Sequence, residues 1–193
     1  MSNAEYTCFL NGELADSVST KDRGFCYGHG LFETLRLVNG VAPLWDLHLS
    51  RLKSGLGIAI DDQLLDQYCD QLVGVCPADG IMKIVITAGN GGRGYRTDVS
   101  LLPNYLLQWF PLTAYPFEYS QQGISLKLCR HQLPNAPSLA GIKHLNRLDQ
   151  VLARAEWGDD YPEGLMLNQQ GHVVEGVSSN CFTVVVNSGA LPG

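Results

Sequence analysis

The chain has little charge and no positive excess. Of its 193 residues 17% are Asp, Glu, Lys or Arg, and the formal net charge is −6. Non-specific binding to nucleic acid depends on basic side chains that neutralise phosphates, and no basic stripe is present. The composition therefore argues against a nucleic-acid partner. An anionic small molecule would have to be bound by individual Arg or Lys side chains, because the overall field does not attract it.

Patterns typical of metal sites and membrane segments are missing as well. The six cysteines include no Cys-x-x-Cys pair, and the five histidines are scattered. The sequence contains no apolar run of membrane length and no signal-peptide pattern. We therefore expect a cytoplasmic protein with reduced cysteines, no metal and no membrane partner.

The hydrophobic pattern predicts a chain of mixed α and β structure. Apolar residues at i, i+4, i+7 and i+11 mark one face of a helix after Pro43, and Asn-Gly pairs mark tight turns. The predicted strands are residues 9–14, 31–38, 81–87, 105–113, 124–129, 164–167 and 181–186. A second helix is predicted from Asp61, and a third has Leu145, Leu148, Leu152 and Ala155 on its inner face. A composition change at residues 114–123 predicts a linker.

Two charged residues have surroundings that do not suit ordinary surface charges. Lys143 lies between a Pro- and Gly-containing loop and a predicted helix, and Glu175 opens an apolar run. A lysine that can form a Schiff base and an acid that holds a pyridinium nitrogen are what pyridoxal phosphate chemistry requires. Either residue alone would be read as a solvated surface charge, so the interpretation depends on the motifs around them.

Those motifs resemble the class IV aminotransferase family of pyridoxal phosphate enzymes. Gly-Ile-Lys-His-Leu-Asn-Arg-Leu surrounds Lys143, and Asp-Arg-Gly-Phe-Cys-Tyr-Gly-His-Gly-Leu-Phe-Glu-Thr occupies residues 22–34. The resemblance extends from about Phe9 to Val186, with several separated motifs in the family's order. Within the family, the Lys143 segment and the loop Gly-Asn-Gly-Gly-Arg-Gly-Tyr at residues 89–95 resemble the lyases. Many relatives carry Asp where His29 stands here.

The resemblance implies a cofactor site for pyridoxal 5'-phosphate. Lys143 would hold the cofactor covalently, and Glu175 would keep its ring nitrogen protonated. Arg51, in His-x-x-Arg-Leu, would bind the phosphate, and Ser179 belongs to the Ser-Ser-Asn pattern that follows the glutamate. Asn146 is either a partner of the ring hydroxyl or the cap of the helix that follows it.

The resemblance also implies substrate contacts. Lys143 would move the proton in catalysis, and Thr34 would assist the transfer or bond the substrate, unless it is simply a strand-forming residue. Arg93 or Tyr95 would meet a substrate carboxylate, with a contact across a dimer as one arrangement. The alternative for this glycine loop is a flexible hairpin tip.

The implied fold is that of a fold type IV enzyme. We expect a small α/β domain over residues 1–115 and a barrel-like β domain over residues 116–193 that carries Lys143, in a homodimer that binds a small anionic substrate. The implied reaction converts 4-amino-4-deoxychorismate to 4-aminobenzoate and pyruvate for folate synthesis. Transamination of D- or branched-chain amino acids is an alternative on the same residues. Because family members continue beyond the Ser-Ser-Asn strand with a phosphate-binding segment, we expect the second domain to be truncated, and a non-catalytic remnant is a further alternative.

Overall fold

The computed structural model describes residues 7–98 and 100–184, which form two units. The first unit ends at Ala114 and also includes Pro137–Asn146, and the second comprises Tyr115–Ala136 and the chain from Arg147. The strands are β1 Thr7–Leu10, β2 Glu13–Leu14, β3 Gly30–Leu37, β4 Gly80–Thr87, β5 Asn104–Phe110, β6 Leu126–Leu133, β7 Glu163–Asn168 and β8 Val173–Gly176. The helices are α1 Arg23–Tyr27, α2 Trp45–Lys53, α3 Asp62–Val75, α4 Phe117–Gln122 and α5 Leu148–Arg154.

The first unit is built on a five-stranded sheet with the order β2-β1-β5-β4-β3. All neighbouring strands run antiparallel. The predicted Asn-Gly turns are confirmed, because Asn11 and Gly12 have φ angles of 52° and 84°, and Asn39 and Gly40 have φ angles of 50° and 76°. Positive φ at both central residues suits the right-handed twist of the flanking strands.

Two helices cover one face of this sheet and form the larger core. The predicted helical periodicity is confirmed in α3, where Leu65 and Leu72 are fully buried and Tyr68 packs beside them. In α2, Leu52 is buried, and Trp45 and Leu49 pack against the same core. Alternation along β3 directs its odd-numbered side chains toward these helices. The burial of this apolar face provides the main stabilisation of the unit.

A buried carboxylate ties α1 to the sheet. Asp22 is 1% exposed and caps α1, because its Oδ1 accepts the Phe25 N–H at 2.9 Å. Its Oδ2 accepts the Thr87 hydroxyl at 2.6 Å and the Asn104 amide at 2.8 Å. Three donors from three elements therefore satisfy a charge that would otherwise be costly to bury.

The second unit contains a smaller sheet and core. Strand β7 pairs in parallel with β6 and antiparallel with β8. The core of this unit consists of the buried residues Cys129, Ala153, Trp157 and Met166. The predicted inner face of the last helix is wrong, since Leu148 and Leu152 are exposed whereas Ala153 is buried. A helix of seven residues makes about two turns, so its apolar spacing gives a weak indication of the packed side.

Three further expectations differ from the structure. The segment with Lys143, predicted in the C-terminal domain of residues 116–193, groups with the first unit instead. The predicted linker at 114–123 contains the exposed helix α4. The strand predicted at 181–186 is absent from residues 181–184, and its last two residues lie outside the described ranges. In the described part of the chain, no helix has the length and apolar character needed to cross a membrane.

Replacing Asp22 with Ala should destabilise the first unit by about 3 kcal/mol, because the change removes a cap and leaves two buried donors unpaired. Urea denaturation measures the loss. Asp61→Ala is the matched control: Asp61 caps α3 through Leu64 N–H at 3.0 Å, but this aspartate is exposed. The control should cost about 1 kcal/mol. Equal losses in the two variants would contradict the role of the buried network.

Candidate active site

Lys143 lies in a segment that pairs with the edge of the larger sheet. Phe32 N–H donates to the Lys143 carbonyl and Leu145 N–H donates to the Gly30 carbonyl, each at 3.0 Å. Leu31 and His144 form an antiparallel bridge between these bonds. Strand β3 is the last strand in the sheet order, so the segment covers an edge that would otherwise expose unpaired backbone groups. The main chain of Lys143 is thereby fixed beside β3.

The Lys143 side chain lies over an aromatic ring on one face of β3. Its Nζ is 4.5 Å from the Phe32 ring centroid, and the residue is half-buried. Phe32 and Thr34 leave the strand on the same face, because side chains alternate along a strand. Thr34 is exposed and pairs with Lys83 of β4. The structure therefore brings Lys143 and Thr34 to one sheet face.

A second ammonium group shares this face. Lys83 Nζ lies 5.8 Å from the Phe32 ring centroid, on the strand next to Thr34. A ring face attracts cations through its quadrupole. Lys83 was not predicted as a site residue, although a charged residue inside the apolar run Ile-Met-Lys-Ile-Val-Ile is a signal in the sequence.

Arg51 is held by a buried carboxylate. Its Nε and Nη2 donate to the two oxygens of Glu33 at 2.6 Å and 2.5 Å. Glu33 is fully buried and also meets His48 Nδ1 at 2.8 Å, while the Arg51 side chain is 45% exposed. The hydrogen bonds and charge of Glu33 raise the Arg51 pKa above its ordinary value. Glu33, also missed in the sequence, points away from the Thr34 face, so Arg51 is fixed on the helix-covered side of β3.

Glu175 and Ser179 lie in the second unit and have protein partners there. Gln150 of α5 donates from Nε2 to Glu175 Oε1 at 2.7 Å. A carboxylate has a second oxygen, so this bond orients Glu175 and leaves Oε2 for another donor. The Ser179 hydroxyl donates to Glu163 Oε2 at 2.6 Å. Burial of the Glu163 carboxylate opposes its ionisation, but hydrogen bonds from Ser179, Gly164 and Ser178 lower its pKa overall.

The alternative roles of Asn146 are partly resolved. Helix α5 begins at Leu148 after Arg147 and has no side-chain cap, so the capping interpretation of Asn146 is wrong. The Asn146 amide reaches the Gly28 carbonyl at 3.4 Å instead. Its neighbourhood is tight, because a Cβ on Gly28 would lie 2.1 Å from Asn146 Oδ1. Asn146 therefore links the Lys143 segment to the end of α1.

The glycine loop joins β4 to β5, as predicted for a hairpin. Arg93 and Tyr95 are both exposed on this loop. The loop is more constrained than a flexible tip, because the buried side chain of Arg23 donates to the carbonyls of Gly94 and Tyr95, each at 3.0 Å. These contacts keep Arg93 on a defined stretch of backbone.

One cavity of the first unit lies apart from these residues. A cavity of about 680 Å³ is lined by Asn11, Tyr68 and Tyr105 among others, and none of the residues predicted for the site lines it. Among the described residues, no cluster of three or more His, Cys, Asp or Glu could hold a metal ion. The candidate site is the face of β3 on which Lys143 and Thr34 lie.

Comparisons with known proteins identify the family. The family model "Amino-transferase class IV" matches residues 30–190. Aminodeoxychorismate lyase from Vibrio harveyi is 31% identical over 96% of this chain and 70% of its own length. D-alanine aminotransferase from Bacillus licheniformis is 28% identical over 92% of this chain and 65% of its own length. The crystal structure of 4-amino-4-deoxychorismate lyase from Pseudomonas aeruginosa is 44% identical, with a TM-score of 0.83 over 89% of this chain and 64% of that chain.

This chain belongs to the class IV aminotransferase family. The predicted fold class, the mixed α/β fold of fold type IV enzymes, is confirmed by the structural match. The chain spans roughly two thirds of the length of these relatives, from 64% of the Pseudomonas structure to 70% of the Vibrio protein. The family depends on pyridoxal phosphate.

The chemistry of the side chains present fits this cofactor. Lys143 offers a half-buried amine beside an aromatic ring, and Glu175 offers a carboxylate oriented by a neutral amide. Arg51 uses Nε and Nη2 for Glu33, which leaves the Nη1 side of a five-donor guanidinium for a phosphate. Each of these residues has a donor or acceptor suited to one part of the cofactor.

Removal of Arg51 should destabilise the chain even without cofactor. Arg51→Ala leaves the buried Glu33 carboxylate with His48 alone, and we expect a loss of about 2 kcal/mol in urea denaturation. Adding Glu33→Gln to this variant should recover at least half of the loss, because it removes the unpaired charge.

Lys53→Ala is the control for the ion pair. It breaks the Lys53–Asp62 pair, whose side chains are 50% and 39% exposed, and should cost less than about 0.5 kcal/mol. If Arg51→Ala costs no more than this control, the Glu33 contact does not stabilise the fold.

Proposed function

We propose that this chain acts as a pyridoxal phosphate-dependent lyase in which Lys143 holds the cofactor. The reaction converts 4-amino-4-deoxychorismate to 4-aminobenzoate and pyruvate. The observation that carries the proposal is the fixed position of Lys143 over Phe32 on the Thr34 face. The similarity to lyases from Vibrio harveyi and Pseudomonas aeruginosa supports the choice of reaction.

Lys143 is the residue proposed to take part in the reaction itself. Lys143 Nζ would hold the cofactor at its aldehyde carbon until the substrate amino group takes its place there. The Lys143 amine released in this exchange would then take the proton from the substrate carbon that bears the amino group. When bound, pyridoxal phosphate withdraws electrons from that carbon and lowers the barrier to proton removal. Loss of the pyruvate unit from the adjacent carbon makes the ring aromatic, so the protein mainly has to position the substrate and move one proton.

The remaining residues are proposed to bind and orient the cofactor and the substrate. Glu175, oriented by Gln150, would accept the ring N–H. Arg51 is proposed to bind the phosphate through Nη1, from the side of β3 opposite to Lys143, where Glu33 holds it. Thr34 bonds the substrate or helps in the proton transfer. Asn146 and Ser179 are proposed as cofactor contacts, with the ring hydroxyl as the target of Asn146.

Substrate anchoring is assigned to cations, because the substrate is a dicarboxylate and the chain carries a net charge of −6. Lys83, on the same face as Lys143, is one candidate. Arg93 on the glycine loop is another, and the hydroxyl of Tyr95 on the same loop is a neutral donor for a carboxylate. We also infer a homodimer from the family, which light scattering would test, and the cytoplasmic location stays a prediction.

Borohydride reduction in the presence of pyridoxal phosphate should fix the cofactor to Lys143, detected as a modified peptide by mass spectrometry. Lys143→Ala should lose the modification and the visible absorbance band. Lys53→Ala, which changes an exposed lysine, should keep both. No modification of the unaltered chain at excess cofactor would favour the non-catalytic alternative.

Two variants at Thr34 distinguish a catalytic role of its hydroxyl from a role in strand formation alone. Thr34→Val keeps the β-branched shape and should lower the rate of 4-aminobenzoate formation about 10- to 100-fold, with cofactor attachment to Lys143 unchanged. Thr34→Ser should retain most of the rate. An unchanged rate in Thr34→Val would mean that Thr34 only favours the strand.

Amino-acid transamination is the second candidate function, favoured by the similarity to D-alanine aminotransferase from Bacillus licheniformis. The two functions differ in their products. The lyase releases pyruvate and 4-aminobenzoate in equal amounts, whereas a transaminase converts D-alanine to pyruvate only while a 2-oxo acid accepts the amino group. Activity in the second assay alone would reject the lyase proposal.

A further inference from the structure

Arg23 is a buried cation whose hydrogen bonds converge on the glycine loop. The residue is 3% exposed. Its Nη1 donates to the Gly94 carbonyl and its Nη2 to the Tyr95 carbonyl, each at 3.0 Å. Its Nε donates to His29 Nδ1 at 3.3 Å. All three guanidinium nitrogens are therefore used, two of them on the backbone just after Arg93.

Tyr27 completes the contact with the loop. Its ring lies 4.9 Å from the Arg23 guanidinium carbon, and its hydroxyl accepts the Gly94 N–H at 3.0 Å. The Tyr95 ring meets Tyr27 edge-on with centroids 5.4 Å apart. Gly94 is thus held at its N–H by Tyr27 and at its carbonyl by Arg23.

The loop backbone also packs against the Arg23 stem. A Cβ at Gly91 would lie 2.8 Å from Arg23 Cδ, so a side chain there would push the loop away. Gly94 has a φ of 97°, a conformation that other residues rarely adopt. Gly91 is therefore explained by the close fit around Arg23, and Gly94 by its backbone conformation.

No carboxylate of a described residue forms an ion pair with Arg23, although the side chain is buried. The neighbouring carboxylate of Asp22 is bonded to Thr87 and Asn104 instead. Burial and the charge of Arg23 lower the pKa of His29. A buried cation without a counter-ion is costly, so an arginine used for packing alone could be replaced by an apolar residue at a gain.

We propose that Arg23 is a positioning residue, which fixes the backbone at Gly94 and Tyr95 and thereby aims Arg93 at a carboxylate of the substrate. The inference rests on the proposed lyase function, because Arg93 then has an anionic ligand. Arg23 acts through the loop backbone, because all three of its guanidinium nitrogens are bonded within the protein. Preorganised donors bind anions more tightly than mobile ones, because the cost of ordering is already met.

The first test needs neither cofactor nor substrate. Arg93 and Arg96 are exposed, so trypsin can cleave after them once the loop opens. Arg23→Lys retains the charge but loses the pair of hydrogen bonds to the Gly94 and Tyr95 carbonyls. Trypsin cleavage after Arg93 and Arg96 should therefore accelerate about tenfold. Arg130→Lys changes an arginine with an 83% exposed side chain and should cleave at the parent rate.

The second test uses the holoenzyme. Arg23→Lys should raise KM for 4-amino-4-deoxychorismate about tenfold and change kcat less than about threefold, with the cofactor absorbance unchanged. A role in packing alone would lower the amount of folded enzyme and leave KM at the parent value. Parent-like trypsin cleavage together with a parent-like KM would overturn the proposal.

Failure of the proposed function would look different. Accelerated cleavage at Arg93 and Arg96 in a chain that never attaches pyridoxal phosphate would support the loop contact and reject the lyase. If Arg23→Lys does not fold, the variant Tyr27→Phe tests the proposal instead. This change removes one hydrogen bond to the loop, the one that the Tyr27 hydroxyl accepts from Gly94 N–H. Faster cleavage in Tyr27→Phe than in Arg130→Lys would then support the positioning of the loop, and equal cleavage would overturn it.

Discussion

The pairing of the Lys143 segment with the edge of β3 is the constraint on which the candidate site depends. Two backbone hydrogen bonds, from Phe32 N–H and Leu145 N–H, bring a lysine from far along the chain to a strand near its start. The bonds act on the main chain, so the position of Lys143 does not require a specific side-chain contact. They also cover the open edge of the sheet. The same pairing thus covers the sheet edge of the first unit and positions the Lys143 amine beside β3.

The two faces of strand β3 carry side chains with different roles. On the helix-covered side, Glu33 is buried with Arg51 and His48. On the other side, Phe32 and Thr34 lie with Lys143. A register shift of one residue would exchange these sets, placing Glu33 on the exposed face and Thr34 in the core. The eight-residue pairing of β3 with β4 therefore fixes the chemistry of the site as well as the core.

Local sequence patterns predicted the parts of this structure that depend on neighbours along the chain. The Asn-Gly turns, the strands β3, β4 and β5 and the helix α3 follow from turn chemistry and periodicity. The grouping of Lys143 with the first unit did not, because edge pairing joins segments that are distant in sequence. Motifs led to the prediction of Arg51 as a site residue but gave no sign of its contact with Glu33, since a lone acid inside an apolar strand does not reveal its partner. The inner face of α5 was mispredicted because two turns carry little periodicity.

The cations of the first unit suggest how an acidic chain can bind an anionic molecule. With a net charge of −6, long-range attraction works against such a ligand, and binding must come from short-range contacts. Several cations are held by fixed partners: Arg51 by Glu33, and Lys143 and Lys83 near the Phe32 ring. Arg23 is bonded to loop carbonyls. Fixed cations lose little conformational freedom on binding, so geometry rather than total charge would select the ligand.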